Sequence, residues 1–383
     1  MAILKNLLTF SALSLFMTSC YTDFEPDIHD DPVLCLNAVI ECDKPFSVTV
    51  SRTWRYSEGW PSYGFATGGS VDILVRDATL TLFADGKEVE EIVYKEYDPF
   101  DPSGNSEFGY LFSYRPHEGE ELKIVAKSKT YGEASASVVI PRKIEIEKIS
   151  NNISEVEPYS YSVGYTPDRD NIEGLRIGFN DSFKVTFTDT PGVTNYYRIL
   201  AEAVNPAKVS SGEYLYDWLG EPEERYYFSK FFFNHLSNDM EPVLSEHLDV
   251  FDKMMGASTT WFSVFSDRQI EGKTYSLSLG LEYASIETDN PKELETLYNI
   301  GIRIRLMNIS ESYYNWFIYD WQQSESTVGN LAQIGVGNAV YPYSNVSTGA
   351  GIVAAFSEST KVLSYSGLLK EETERFNRRE PTE

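Results

Sequence analysis

From residue 33 onward, apolar residues recur at every second position. In Phe46-Ser47-Val48-Thr49-Val50-Ser51 they alternate strictly with hydroxyl side chains, as expected of a strand with one face in a core and the other in water. Ala78-Thr79-Leu80-Thr81-Leu82, Leu122-Lys123-Ile124-Val125-Ala126-Lys127 and Ala134-Ser135-Ala136-Ser137-Val138-Val139-Ile140 repeat the period. Asp85-Gly86 reads as a hairpin turn. Adding 33–41, 71–75, 87–94 and 109–115 gives about seven or eight strands before Pro141, with no helical period among them. Short strands at regular spacing, divided by turn signals, predict an antiparallel sandwich.

Pro141-Arg142-Lys143 marks a domain boundary. Beyond it the strand pattern resumes over 144–149, 182–188, 195–203, 261–266, 275–283 and 300–308. The clearest case is Tyr275-Ser276-Leu277-Ser278-Leu279-Gly280-Leu281. Between about 206 and 260 the alternation gives way to mixed aromatics and acids, with two helical turns expected, one of them over 241–255; this reads as an insertion. A helix is predicted over 311–323, with Ser310 as N-cap and Tyr313, Tyr314, Phe317 and Trp321 as its apolar stripe. Gly335-Val336-Gly337-Asn338 and Gly349-Ala350-Gly351 read as turn glycines, the second leading into a last strand. Residues 370–383 read as a charged, disordered tail. The predicted fold is mostly β, with two antiparallel β-sandwich (immunoglobulin-like) domains over 33–141 and 142–369. The second carries the insertion and one or two short helices.

The N-terminus follows a different pattern. Residues 7–17 are an apolar run preceded by Lys5. The run is too short to span a bilayer and matches the core of a secretory signal. Met17-Thr18-Ser19-Cys20 then forms a lipobox, so 1–19 read as a lipoprotein signal peptide and Cys20 as the lipid attachment site. An ordinary signal peptide with Cys20 merely nearby predicts export as well. Residues 20–32 are acidic, contain Pro26 and Pro32, and read as an extended tether. The acidic residues just after Cys20 resemble the surface-export signal of Bacteroidota lipoproteins, a resemblance that implies a lipid anchor in the outer membrane at the cell surface, with the periplasmic face left open.

Charge narrows the partners. The formal net charge is −26, and the signal peptide removes a cation and no acid. Phosphate contacts require clustered Lys and Arg, so nucleic acid is excluded, as is peripheral binding to anionic lipid. Aromatic residues make up 14% of the chain, 26 of them Tyr, which suits both strands and recognition surfaces. Cys35 and Cys42, if at the two ends of one strand, lie roughly 20 Å apart at ~3.3 Å per residue. Two buried free thiols are therefore favoured over a disulfide.

No catalytic constellation emerges. The histidines His29, His117, His235 and His247 lack metal-ligand spacing, and no GxSxG elbow occurs. The 58 acids make accidental carboxylate pairs inevitable, so no pair is informative. No cofactor is expected, and the chain is read as a non-enzyme. Asp98, Asp101, Asn105 and Glu107 are oxygen ligands in a Gly-containing loop and form a calcium candidate, against the plainer reading of a polar hairpin loop. Trp54, Tyr56, Trp60, Tyr63 and Phe65 fall in one long loop. They form either a ligand- or partner-binding platform or a cap on the end of the sandwich. Tyr214, Tyr216, Trp218, Tyr226, Tyr227 and Phe228 are expected to pack on the second sheet, and Phe231-Phe232-Phe233 to be core.

Several segments together carry a likeness. They are residues 20–26 (Cys-Tyr-Thr-Asp-Phe-Glu-Pro), 71–86, Asn195-Tyr196-Tyr197-Arg198 and 267–275. Ser310-Glu311-Ser312-Tyr313-Tyr314 and 344–352 complete the set. In this order the chain resembles the Bacteroidota lipoproteins grouped as domain of unknown function 4249. The resemblance implies an outer-membrane lipoprotein considered alongside TonB-dependent transporters, and implies no activity. The expectation is thus a surface-anchored binding or accessory subunit working with such a transporter in nutrient capture. The alternative is a cell-surface adhesin or an assembly lipoprotein.

Overall fold

A computed structural model describes residues 31–54, 58–62, 70–96, 109–163, 172–204, 209–216, 222–227, 229–232, 236–237, 241–246, 248, 263–288, 300–324, 326, 329–330 and 341–378. The strands of the first half are β1 (Leu34–Glu41), β2 (Phe46–Arg52), β3 (Trp60–Ser62), β4 (Ser70–Asp72), β5 (Thr79–Ala84), β6 (Lys87–Val93), β7 (Tyr110–Phe112), β8 (Glu121–Ser128) and β9 (Gly132–Val139). Then come β10 (Lys148–Val163), β11 (Ile172–Thr188), β12 (Tyr196–Val204), β13 (Val209–Tyr216), β14 (Pro222–Tyr227), β15 (Ser229–Phe232) and β16 (Leu236–Ser237). The chain ends with β17 (Val264–Ser266), β18 (Thr274–Thr288), β19 (Gly301–Ile309), helix α1 (Glu311–Ser324), β20 (Ala350–Ser364) and helix α2 (Ser366–Asn377). The protein is mostly β, and nearly all strand pairs are antiparallel.

One seven-stranded sheet, in the order β17-β12-β19-β20-β1-β2-β7, runs through the described fold. Its continuity depends on β20. The first half of β20 pairs in parallel with β1, from Cys35↔Ala350 to Glu41↔Phe356. The second half pairs antiparallel with β19, from Ile309↔Phe356 to Gly301↔Ser364. A four-stranded sheet, β6-β5-β8-β9, covers one end of this long sheet. Leu36, Ile40 and Val50 meet Leu80, Leu82, Ile124 and Val138 there, with Val353 and Ala355 of β20 in the same core. A third sheet, β10-β11-β18-β15 with β16 also on β18, covers the other end. Ile199, Ile302 and Ile304 meet Leu175, Phe183, Val185 and Leu277 in the second core. Each fully buried Leu or Ile contributes about 1.5–3 kcal/mol.

Helix α1 lies on the reverse face of the long sheet. Phe317 and Trp321 pack on Val264, Met307, Ile309 and Phe356. Both faces of β19 are therefore covered, and its burial is nearly continuous rather than alternating. The predicted N-cap and stripe are in place. Tyr313 donates its backbone N–H to Ser310 Oγ at 3.3 Å, and Tyr313 and Tyr314 are half-buried against the same cluster.

The hairpin turn at Asp85-Gly86 has φ of 47° and 75°, the left-handed pair that a tight two-residue hairpin needs. Other expectations need correction. Residues 144–147 form no strand, although Ile144 and Ile146 enter the second core. β10 is 16 residues long and runs well past the strand expected to end at 149, although Tyr159-Ser160-Tyr161-Ser162-Val163 alternates within it. It is an outer strand, where a proline such as Pro158 is tolerated, and a bulge interrupts its register between Ser154 and Glu157. Helix α2 carries the chain to Asn377 where a disordered tail was expected from 370, and Leu368 packs against the second core. The turn expected over 241–255 is a short 3-10 segment, Pro242–Ser245; 247 and 249–255 lie outside the described residues. Part of the expected insertion, β15 and β16, adds strands to β18. Phe231 and Phe232 lie in β15, and Phe233 is outside the described residues.

Both cysteines are free, as favoured, but each is half-buried rather than buried. Burial pushes both thiols up from their ordinary pKa. Gly351 takes φ of +106°, and a Cβ there would sit 2.3 Å from Leu36 O. Gly349 is needed for a different reason, since its Cβ would lie 2.4 Å from Leu34 O. Together they let β20 approach β1 closely. Gly335 and Gly337 lie outside the described residues.

Candidate functional site

The two cores meet at the end of β9. The chain passes from the first core to the second just after β9, with Ile140 packed in the first and Ile144 in the second, before β20 returns Val353 and Ala355 to the first. The link between them is pinned by side chains of the long sheet. Asn308 donates Nδ2 to Arg142 O at 2.9 Å, and Ser357 donates Oγ to Pro141 O at 2.6 Å.

Behind this link lies a buried polar network. Asp189 is 1% exposed. Its Oδ1 accepts from the Tyr197 hydroxyl and from Asn195 Nδ2, and its Oδ2 accepts from the Gly272 N–H at 2.7 Å. Three donors on one carboxylate compensate for its burial. Asp267 Oδ2 accepts from the Asn195 N–H at 2.6 Å, and Asn195 Oδ1 accepts from Asn308 Nδ2 at 3.0 Å. Burial, partly offset by the Asn195 N–H, raises the Asp267 carboxyl above the ordinary range. Burial and then Asp189 push the Tyr197 hydroxyl strongly up, so it stays a donor.

In front of the network a groove of about 750 Å³ opens. One wall is the outer edge of β9. Ile140 and residues 119–120 exchange backbone bonds of 2.8 and 2.9 Å, so even-numbered residues of β9 face β8 and Ser135, Ser137 and Val139 point outward. Ser135 is met by Ser347 through bonds of 3.3 and 2.8 Å. Ser137 O receives Asn345 Nδ2 at 3.4 Å. Among the described residues, 341–345 make no backbone hydrogen bond to β9. Val193 and Thr194, Tyr196, the start of α1 and Tyr343 also line the groove. Val139 is 53% and Val193 50% exposed, so two aliphatic side chains face solvent across one cleft.

α1 positions its share of the groove by exchange with β20. Ser310 N donates to Ala355 O at 2.8 Å, Ala355 N to Ser310 Oγ at 3.1 Å, and Ser312 Oγ to Val353 O at 3.0 Å. Glu311 thus reaches the groove rim, and its charge, after burial, raises the Tyr196 hydroxyl. Tyr343 packs its ring 5.7 Å from Tyr319 on α1.

Most residues singled out from the sequence lie elsewhere or outside the described residues. Trp54 is described, follows β2 and is 45% exposed. Trp60 lies in β3, while Tyr56, Tyr63 and Phe65 lie outside the described residues. The same holds for Cys20, for the calcium candidates Asp98, Asp101, Asn105 and Glu107, and for His29, His235 and His247. His117 Nδ1 pairs with Asp43 Oδ1 at 2.8 Å on an exposed turn. Tyr214 and Tyr216 are in β13 and Tyr226 and Tyr227 in β14, a separate two-stranded hairpin, while Trp218 and Phe228 are outside the described residues. Among the described residues no group of three or more His, Cys, Asp or Glu is placed to hold a metal, and no helix is long and apolar enough to cross a membrane.

The groove itself was not anticipated as a site. Its signal lay in segments 195–198, 267–275, 310–314 and 344–352, all of which contribute to the network or to the groove walls. Comparison with curated proteins finds no match. The family described as Domain of unknown function (DUF4249) matches residues 21–362, nearly the whole chain. The protein therefore belongs to the DUF4249 family.

Proposed function

We propose that this chain is a Bacteroidota outer-membrane lipoprotein, held at the cell surface by lipid on Cys20. In this reading it is a non-enzymatic binding or accessory subunit of a TonB-dependent transporter in nutrient capture. The observation that carries the reading is the lipobox Met17-Thr18-Ser19-Cys20 behind a short apolar run. The groove supports a binding role, because it offers backbone groups, hydroxyls and aliphatic and aromatic surface on rigid strands.

Affinity isolation of the tagged lipoprotein from detergent-solubilised membranes tests the partnership. Recovery of a TonB-dependent transporter, lost on deletion of 54–65, supports it. Normal recovery from a strain that fails only in surface attachment would favour the adhesin reading instead.

A further inference from the structure

We infer that the groove binds an extended, basic segment of a partner protein by strand addition to the outer edge of β9. This rests on the reading of the chain as a binding protein and names the chemistry of its partner. β9 is the last strand of its sheet. Its edge is already half extended by the molecule itself, since Ser347 pairs with Ser135 as an isolated bridge and Asn345 reaches Ser137 O. The next outward groups along the strand, the N–H of Ser137 and both backbone groups of Val139, have no hydrogen-bond partner among the described residues. They open directly into the groove. A free strand edge is a template for another chain, and a protein normally blunts it with a proline, a charge or a covering loop. Here Val139 has none of these, and among the described residues, 341–345 make no backbone hydrogen bond to β9.

The groove also dictates the side chains of its occupant. In an added strand, alternate residues point to opposite faces. One row would lie over the exposed Val139 and Val193 and the ring of Tyr343, which favours aliphatic side chains. The charged groups lining the cleft are Glu121, Glu311 and Arg142. Two carboxylates to one guanidinium, on a body of net charge −26, favour lysine or arginine in the other row. Main-chain bonds supply the affinity and these rows the selectivity.

The purified protein without its signal peptide is titrated with a synthetic decapeptide of alternating Val and Lys. The expected result is a Kd below about 100 µM, with slowed hydrogen exchange at the Ser137 and Val139 amides. The alternating Val and Glu peptide is expected to bind at least tenfold more weakly. Val139→Pro removes one outward N–H without touching the β8 ladder and is expected to weaken binding at least tenfold, while Val139→Thr keeps it. Glu121→Lys, which leaves the backbone intact, is expected to reverse the preference between the two peptides. The inference is overturned if the lysine peptide fails to bind, if binding leaves the two amides unprotected, or if Val139→Pro binds like the parent. These results are independent of whether a transporter is recovered from membranes, so the two readings fail separately.

Discussion

Two buried aspartates show how burial alone does not decide a carboxylate's fate. Asp189 receives three donors. Asp181, also 1% exposed, is satisfied on one side only. Its Oδ2 accepts from the Tyr365 hydroxyl at 2.7 Å and from Asn151 Nδ2 at 3.0 Å, while Oδ1 has no hydrogen-bond partner among the described residues. Desolvation raises its pKa, against the pull of these bonds. The folded state therefore holds a proton at Asp181 to higher pH than the unfolded chain, whose value is about 3.9. Stability contributed here is full below that value and falls as pH rises through the raised folded pKa. Asp181→Asn keeps an acceptor for Tyr365 and Asn151 and removes the buried charge. The variant is expected to have a higher urea midpoint than the parent near about pH 7, with the gap closing toward about pH 4. A variant equally destabilised at both pH values would contradict this.

At the scale of elements, α1 depends on Ser310 more than an ordinary cap would. One hydroxyl oxygen accepts from both Tyr313 N and Ala355 N, joining the helix start to the centre of β20. Ser310→Ala is expected to cost between about 1 and 3 kcal/mol in urea unfolding, and a change within about 0.5 kcal/mol would count against the joint role. This cap and the α1 stripe were legible in the sequence because their cause is local: Ser before a run with period 3.6. The alternating strands β2, β5, β8 and β9 were legible for the same reason. β10 was not, because Pro158 and the acids Glu155 and Glu157 break its pattern and leave only the short alternating run Tyr159-Ser160-Tyr161-Ser162-Val163, while an outer strand tolerates the proline. The groove was not legible either. It forms where β9, residues 193–196, the start of α1 and residue 343 converge, and no window of sequence contains that convergence. Rings and acids cluster in sequence over 54–65 and 98–107, away from the groove. The useful residues are a valine on a strand edge and amides whose work is to hold backbone in place.

At the scale of the molecule, the shared sheet makes the first core dependent on the end of the chain. Val353 and Ala355 belong to that core, and β20 is the neighbour that β1 requires on one side. A fragment of residues 33–143 lacks both. It is expected to bind a hydrophobic dye and to lose the cooperative urea transition, and a peptide of 341–364 added in trans is expected to restore protection to Leu36 and Ile40. A sharp transition in the fragment alone would mean that the first half folds independently and that β20 is an accessory to it.

The whole body is proposed to act where Cys20 fixes it, so the anchor is the decisive point. The most direct measurement is incorporation of radiolabelled palmitate, combined with membrane fractionation, in cells making either the native chain or Cys20→Ala. The account predicts label and membrane recovery for the native protein, and neither for the variant. An unlabelled native protein, or a Cys20→Ala variant that still sediments with the membranes, would contradict it.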